Sequence, residues 1–288
     1  MTHPSRALAA ALEPFAGQVY FSPECHAGYT SLGFGPSPAT AGAVAMPDGP
    51  AYFCSRGSVM GQVPGEVIAS AFGVFNPDVV VRSVDHGWSL TDAATICAAR
   101  TDGAVGQLRR ILGERPDRID RAVDLLTRAT DGLRPEGKPL FAGLVALGLP
   151  GEPLGDAWRL ADQLREFRGD AHVNAWTSAG FDATEIGLLS ELYWGLPMRT
   201  YIRTRAWTDA ELDAAEARLA DRGLVADGGF TAAGRAAPEA VEDALRGGWP
   251  QQIQAAGGYP ASGPHDLARL GDGGPPAVST SESAEGST

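Results

Sequence analysis

A chain of 288 residues with 44% hydrophobic content is long enough for two domains with sizeable cores, and its formal charge of -12 sets it against polyanionic partners. Non-specific DNA binding comes from neutralising phosphates, so so acidic a chain needs a concentrated basic patch. Arg109, Arg110, Arg115 and Arg118 cluster, but Glu114, Asp117 and Asp120 interleave with them. The cysteines Cys25, Cys54 and Cys97 are odd in number and widely spaced, which suits a reducing cytoplasm better than a disulfide framework. The N-terminal stretch lacks a long apolar run, and no segment approaches the roughly 18 apolar residues of a membrane span. The expectation is a soluble cytoplasmic protein.

In chain order, Ser5–Phe15 predicts a helix with Leu8, Leu12 and Phe15 on one stripe. Ser22 then Pro23 open a second, as N-cap and first helical residue, running to about Leu32. Gly33–Pro50 reads as a loop, and Ala51–Met60 as a short apolar helix or strand. Pro64–Phe75 predicts a helix that Asn76-Pro77 breaks; a helix resumes to Trp88, where Gly87 reads as a C-cap with His86 facing the helix dipole. Asp92 signals a fresh start for a helix reaching Leu112. Arg115–Gly132 is helical, Lys138–Leu149 is compact and apolar, and Glu152–Gly180 is the longest helical run.

From Asp182 to Gly234 the pattern is that of a winged helix. An amphipathic helix over Asp182–Gly195 and a short one over Met198–Ala206 lead to a third over Thr208–Gly223, then strand, tight turn and strand. In a DNA reader the third helix enters the major groove. Here it begins with Asp209, Glu211, Asp213 and Glu216 and has no basic residue before Arg218. The fold class expected is therefore mainly α: a helical ligand-binding domain over 1–180, a winged helix over 181–249 and a disordered tail over 250–288, polar and rich in Gly and Pro.

The densest polar cluster is the run from Arg165 to His172. On a helix, Arg165, Arg168 and His172 share a side and could grip an anionic ligand, with His172 as proton carrier; a solvated strip is the plainer reading. His172 paired with Asp170 is the candidate acid–base group. Residues two apart on a helix do not face each other, so that pairing requires a break near Gly169 or a partner from another segment. Arg56, in a small apolar neighbourhood, needs either an internal acid or a bound one. Tyr52, Phe75, Trp88 and His86 are candidate pocket walls. No metal-binding spacing occurs, and no cofactor is indicated.

The runs YFSPE at 20–24, FNP at 75–77, REFRGDAHVNAW at 165–176 and FTAAG at 230–234 together resemble an actinobacterial family of helix-turn-helix domain proteins, over roughly residues 10–247. The resemblance implies a helical N-terminal domain joined to a MarR-like winged helix, and DNA binding by analogy of fold alone. The preferred reading of the residues is a small-molecule-binding protein, with Arg56, Arg168, Asp170 and His172 as polar groups of its pocket. The winged helix would then serve packing or homodimerisation, DNA would be an unfavoured partner, and turnover of the ligand is left open. The rival reading is a ligand-responsive transcriptional regulator, using Arg199, Arg203 and Arg205 as a basic groove.

Overall fold

The computed structural model describes residues 4–42 and 44–255. Among these the chain is mainly helical. The helices are α1 (Pro4–Gly17), α2 (Pro23–Ser31), α3 (Gly49–Gly57), α4 (Gly65–Phe72), α5 (Pro77–Leu90), α6 (Ala93–Leu112), α7 (Ile119–Thr130), α8 (Pro139–Leu147), α9 (Pro153–Ser178), α10 (Ala183–Tyr193), α11 (Asp209–Asp221) and α12 (Ala232–Ala255). Two two-residue hairpins interrupt them: β1 (Thr40–Ala41) with β2 (Val44–Ala45), inside the segment expected to be loop, and β3 (Val225–Ala226) with β4 (Gly229–Phe230).

Local chemistry accounts for the boundaries. Ser22, Asp48, Asn76 and Asp92 each accept a backbone N–H of the first turn that follows, and Pro stands in the first turn after Ser22, Asp48 and Asn76. Asp182 with Glu185, and Thr208 with Glu211, form reciprocal capping boxes on α10 and α11. Gly87 is not a C-cap, because α5 continues to Leu90. Its missing Cβ serves packing instead, since one would lie 2.2 Å from Cys54 Sγ. The helix also passes the expected end of order at Trp249: α12 runs to Ala255 through Pro250, as an internal proline removes one hydrogen bond without obliging the helix to stop. The remainder of the segment expected to be disordered, 256–288, lies outside the described residues.

Two apolar clusters form the interior. The first draws on α1 to α9, with Trp158, Phe141, Ile68, Ile96 and Leu164 among its buried side chains. The second begins at Trp176 near the end of α9 and takes in Phe181, Ile186, Leu189, Leu212, Leu219 and Val241. α9 therefore runs through one cluster and into the other.

α2 lies close against α6 at the backbone, where a Cβ on Gly103 would lie 2.6 Å from Cys25 Cα and 2.7 Å from its N. Relief requires backbone movement, not a rotamer change. Gly103→Ala should destabilise by roughly 3 kcal/mol, the upper end of overpacking costs, read as a shift of the urea midpoint at constant m. A neutral alanine would mean that α2 yields without strain.

Candidate functional site

The loop after α4, α9 and the α10–α11 pair meet around an open cleft of about 1140 Å3. Backbone and side chain bind the sides together at one edge. Asn76 N–H donates to the Arg205 carbonyl at 2.9 Å, Trp207 Nε1 donates to the Val74 carbonyl at 3.0 Å, and Asn76 Nδ2 reaches Glu211 at 3.4 Å. Gly73 has φ +66°, and a Cβ there would meet Val173 and Trp176 at 2.9 and 3.1 Å, so the turn is pressed against α9.

α9 supplies Asp170, Val173, Trp176 and Thr177 to the cleft. Asp170 is 2% exposed; its Oδ2 accepts the Phe141 N–H at 3.0 Å, while its Oδ1 has no hydrogen-bond partner among the described residues. Burial, only partly opposed by the Phe141 N–H, pushes this carboxyl up to about 7, with Glu166 adding in the same direction. Trp176 Nε1 is also buried without an acceptor among the described residues. Phe75, Trp176 and Trp207 give the cleft aromatic walls.

The candidate residues do not share one place. Asp170 and Phe75 line the cleft. Arg168 and His172 line a separate crevice of about 170 Å3 with Tyr193, Trp194 and Glu242. There Arg168 pairs with Glu242 at 3.3 Å, and burial, then the charge of Arg168, lowers His172 to about 4. α9 is unbroken at Gly169, so Asp170 and His172 point to different hollows and the acid–base pair is not assembled. Tyr52 belongs to an aromatic cluster with Tyr20 at 5.0 Å, Phe75 at 5.7 Å and Phe72 at 6.3 Å between ring centroids. His86 is exposed and Trp88 donates to the Val63 carbonyl at 2.8 Å; neither lines the cleft.

Arg56 takes the internal partner. Its Nε and Nη2 donate to the two oxygens of Glu166 at 2.8 and 2.6 Å, a bidentate pair, and its guanidinium lies 4.2 Å from the Phe72 ring centroid. Arg165 donates to the same carboxylate at 2.8 Å. Burial by itself would raise Glu166, but Arg56 and then Arg165 overcome it and hold the group at about 2. Two further structural groups carried no legible signal. Arg100 and Asp162 form a buried pair at 2.7 Å. Glu191, fully buried, accepts the backbone N–H groups of Arg199, Tyr201 and Ile202 and so ties down the turn before α11.

The face that α11 presents is decided by its neighbours. Leu212, Ala215 and Leu219 are buried, while Glu211, Ala214 and Arg218 line the cleft. On the other flank Asp213 and Glu216 hold Arg199 at 2.6 and 2.5 Å, and Asp209 holds Arg203 at 2.9 Å. Arg205 lies over the rings of Phe75 and Tyr201. Each of the three arginines that would have made a basic groove is therefore engaged within this chain, Arg199 and Arg203 by acids of α11 and Arg205 by aromatic rings, although Arg203 stays exposed. Helical spacing leaves Ala210, Ala217 and Asp221 pointing outward, all exposed.

Among the described residues, no helix is long and apolar enough to cross a membrane, and no group of three His, Cys, Asp or Glu side chains could hold a metal ion. No curated protein and no solved structure matches the chain. A family model described as a helix-turn-helix family matches residues 5–273, covering the helical bundle as well as α10 and α11. The chain belongs to this helix-turn-helix family.

Proposed function

We propose that this helix-turn-helix protein is ligand-responsive, and that its small-molecule ligand sits in the cleft between α9 and α11. The observation that carries this is the pair of buried polar atoms of cleft-lining residues, Asp170 Oδ1 and Trp176 Nε1, each without a partner among the described residues. Such groups are costly to bury unsatisfied, and they sit among apolar and aromatic walls, the usual composition of a small-molecule site. A ligand there touches the bundle and the helix-turn-helix segment at once, so its binding energy depends on their mutual placement. The test uses the uncharged dye N-phenyl-1-naphthylamine. Its fluorescence should rise on mixing with the protein, and Ala214→Trp, which fills the cleft from an exposed position on α11, should abolish the rise without lowering the melting temperature. An undiminished signal from that variant would place the dye elsewhere and overturn the reading.

Family membership supports a transcriptional regulator as the use of this response. The charge of α11 supports the other use, a helix-turn-helix retained as one wall of the ligand site. Phosphate contacts need available cations, and acids of α11 hold Arg199 through two ion pairs and compete for the exposed Arg203 through Asp209. In an anisotropy titration against duplex DNA, binding should be weak and vanish as salt rises to physiological strength. Nanomolar, sequence-selective binding at that salt would establish the regulator and require Arg199 and Arg203 to leave their partners.

A further inference from the structure

Resting on the cleft as the ligand site, we infer that its ligand class is the lipophilic cation: an apolar, ring-bearing molecule with one amine or quaternary onium centre, whose counter-ion is Asp170. Charge points one way. The ionisable groups lining the cleft are Glu66, Asp170, Asp182, Glu211 and Arg218. The one cation among them is already held by Asp182 at 2.5 Å and by Glu185 at 3.1 Å. Glu211 is engaged with Thr208 and Asn76, and Glu66 is exposed at the rim. Of these groups Asp170 is the one both deeply buried and half unsatisfied, with one oxygen on the Phe141 N–H and the other without a partner among the described residues. An anion would meet carboxylates on several sides. A cation would have the second oxygen of Asp170 as its counter-charge in a cleft that Phe75, Trp176 and Trp207 also line, and aromatic faces attract cations where water is excluded. The remaining lining, including Val67, Ala71, Val81 and Val173, is apolar and suits the hydrocarbon body of such a ligand.

The experiment exploits two probes of nearly one shape and opposite charge, tetraphenylphosphonium and tetraphenylborate. Each is titrated by calorimetry into the full chain at physiological salt, alongside displacement of N-phenyl-1-naphthylamine. The phosphonium should bind at one site per chain, and both Asp170→Asn and Ala214→Trp should weaken it at least tenfold. The borate should bind at least tenfold more weakly than the phosphonium. If the borate binds as well as the phosphonium, or Asp170→Asn leaves phosphonium affinity unchanged, the cation inference is wrong, while dye binding that Ala214→Trp still blocks leaves the cleft standing as a ligand site. Phosphonium binding indifferent to Ala214→Trp lies outside the cleft and also overturns the inference. If the dye and both ions all fail to bind, the reading of the cleft falls with it. The comparison of the two ions on the unaltered chain does not depend on how any variant folds.

Discussion

Glu166→Gln should lower the stability of the protein by roughly 3–5 kcal/mol at neutral pH, the range for breaking a buried ion pair by removing one partner. Glu166 is 2% exposed and receives Arg56 through two hydrogen bonds and Arg165 through one. The amide keeps the shape but leaves two guanidinium groups packed around a neutral side chain. Arg56→Met should be similarly harmful from the other side, since it strands the carboxylate between Arg165 and the Tyr20 hydroxyl. The pH dependence has a definite sign. Glu166 is held at about 2, below its usual 4.5, so its stabilising contribution is complete above pH 4.5 and is lost as the pH falls towards 2. Urea unfolding of the parent and both variants at neutral pH, repeated for the parent down to pH 3, measures all of this. A Glu166→Gln loss under 1 kcal/mol would show that the cluster is not sustaining the bundle. An Arg56→Met variant of parental stability would return Arg56 to the list of ligand-binding candidates.

Asp170→Asn should do the opposite and stabilise the protein above neutral pH. The folded carboxyl sits at about 7 against a usual 3.8, because burial, with a smaller push from Glu166, outweighs the Phe141 and Leu140 N–H groups and Arg56. A raised carboxyl favours folding while it is protonated. That contribution is complete below pH 3.8, declines as the pH rises, and is gone above 7. A shift of this size corresponds to roughly 4 kcal/mol between those limits. Asparagine is neutral throughout and its amide oxygen can still accept from Phe141. The variant should therefore match the parent near pH 4 and exceed it by a few kcal/mol at pH 8. Because Glu166 titrates in the contrary sense at lower pH, the difference between the two melting curves is the quantity to follow from pH 4.5 to 8.5. Parallel curves would mean that Asp170 does not titrate in that window. The same variant is the one expected to lose phosphonium binding, so a stable fold with weakened binding would separate the ligand role of Asp170 from any structural one.

The sequence determined the helical class, most element starts and the succession of α10, α11 and the β3–β4 hairpin, because the forces that set them are local. Ser22, Asn76, Asp92, Asp182 and Thr208 cap the helices that follow them through backbone groups within three residues, and such signals survive in a linear reading. The turn residues Asp227 and Gly228, both at positive φ, likewise place the β3–β4 hairpin. The acidic character of α11 was equally plain. What Arg56 touches was not: its partner Glu166 lies 110 residues away, and an arginine in an apolar stretch is equally compatible with an internal acid or a bound one. The strip at Arg165, Arg168 and His172 was legible as a helix face, but only packing shows that Arg165 turns to Glu13 and Glu166, Arg168 to Glu242, and Asp170 to α8. The cleft is beyond a linear reading for the same reason. Its walls come from the turn after α4, from α9 and from α11, and Trp176 and Trp207 have no mark in the sequence that distinguishes a lining tryptophan from a core one. Tertiary structure alone decided which buried polar atoms were left unsatisfied, because satisfaction depends on every neighbour in space and not on the residues alongside in the chain.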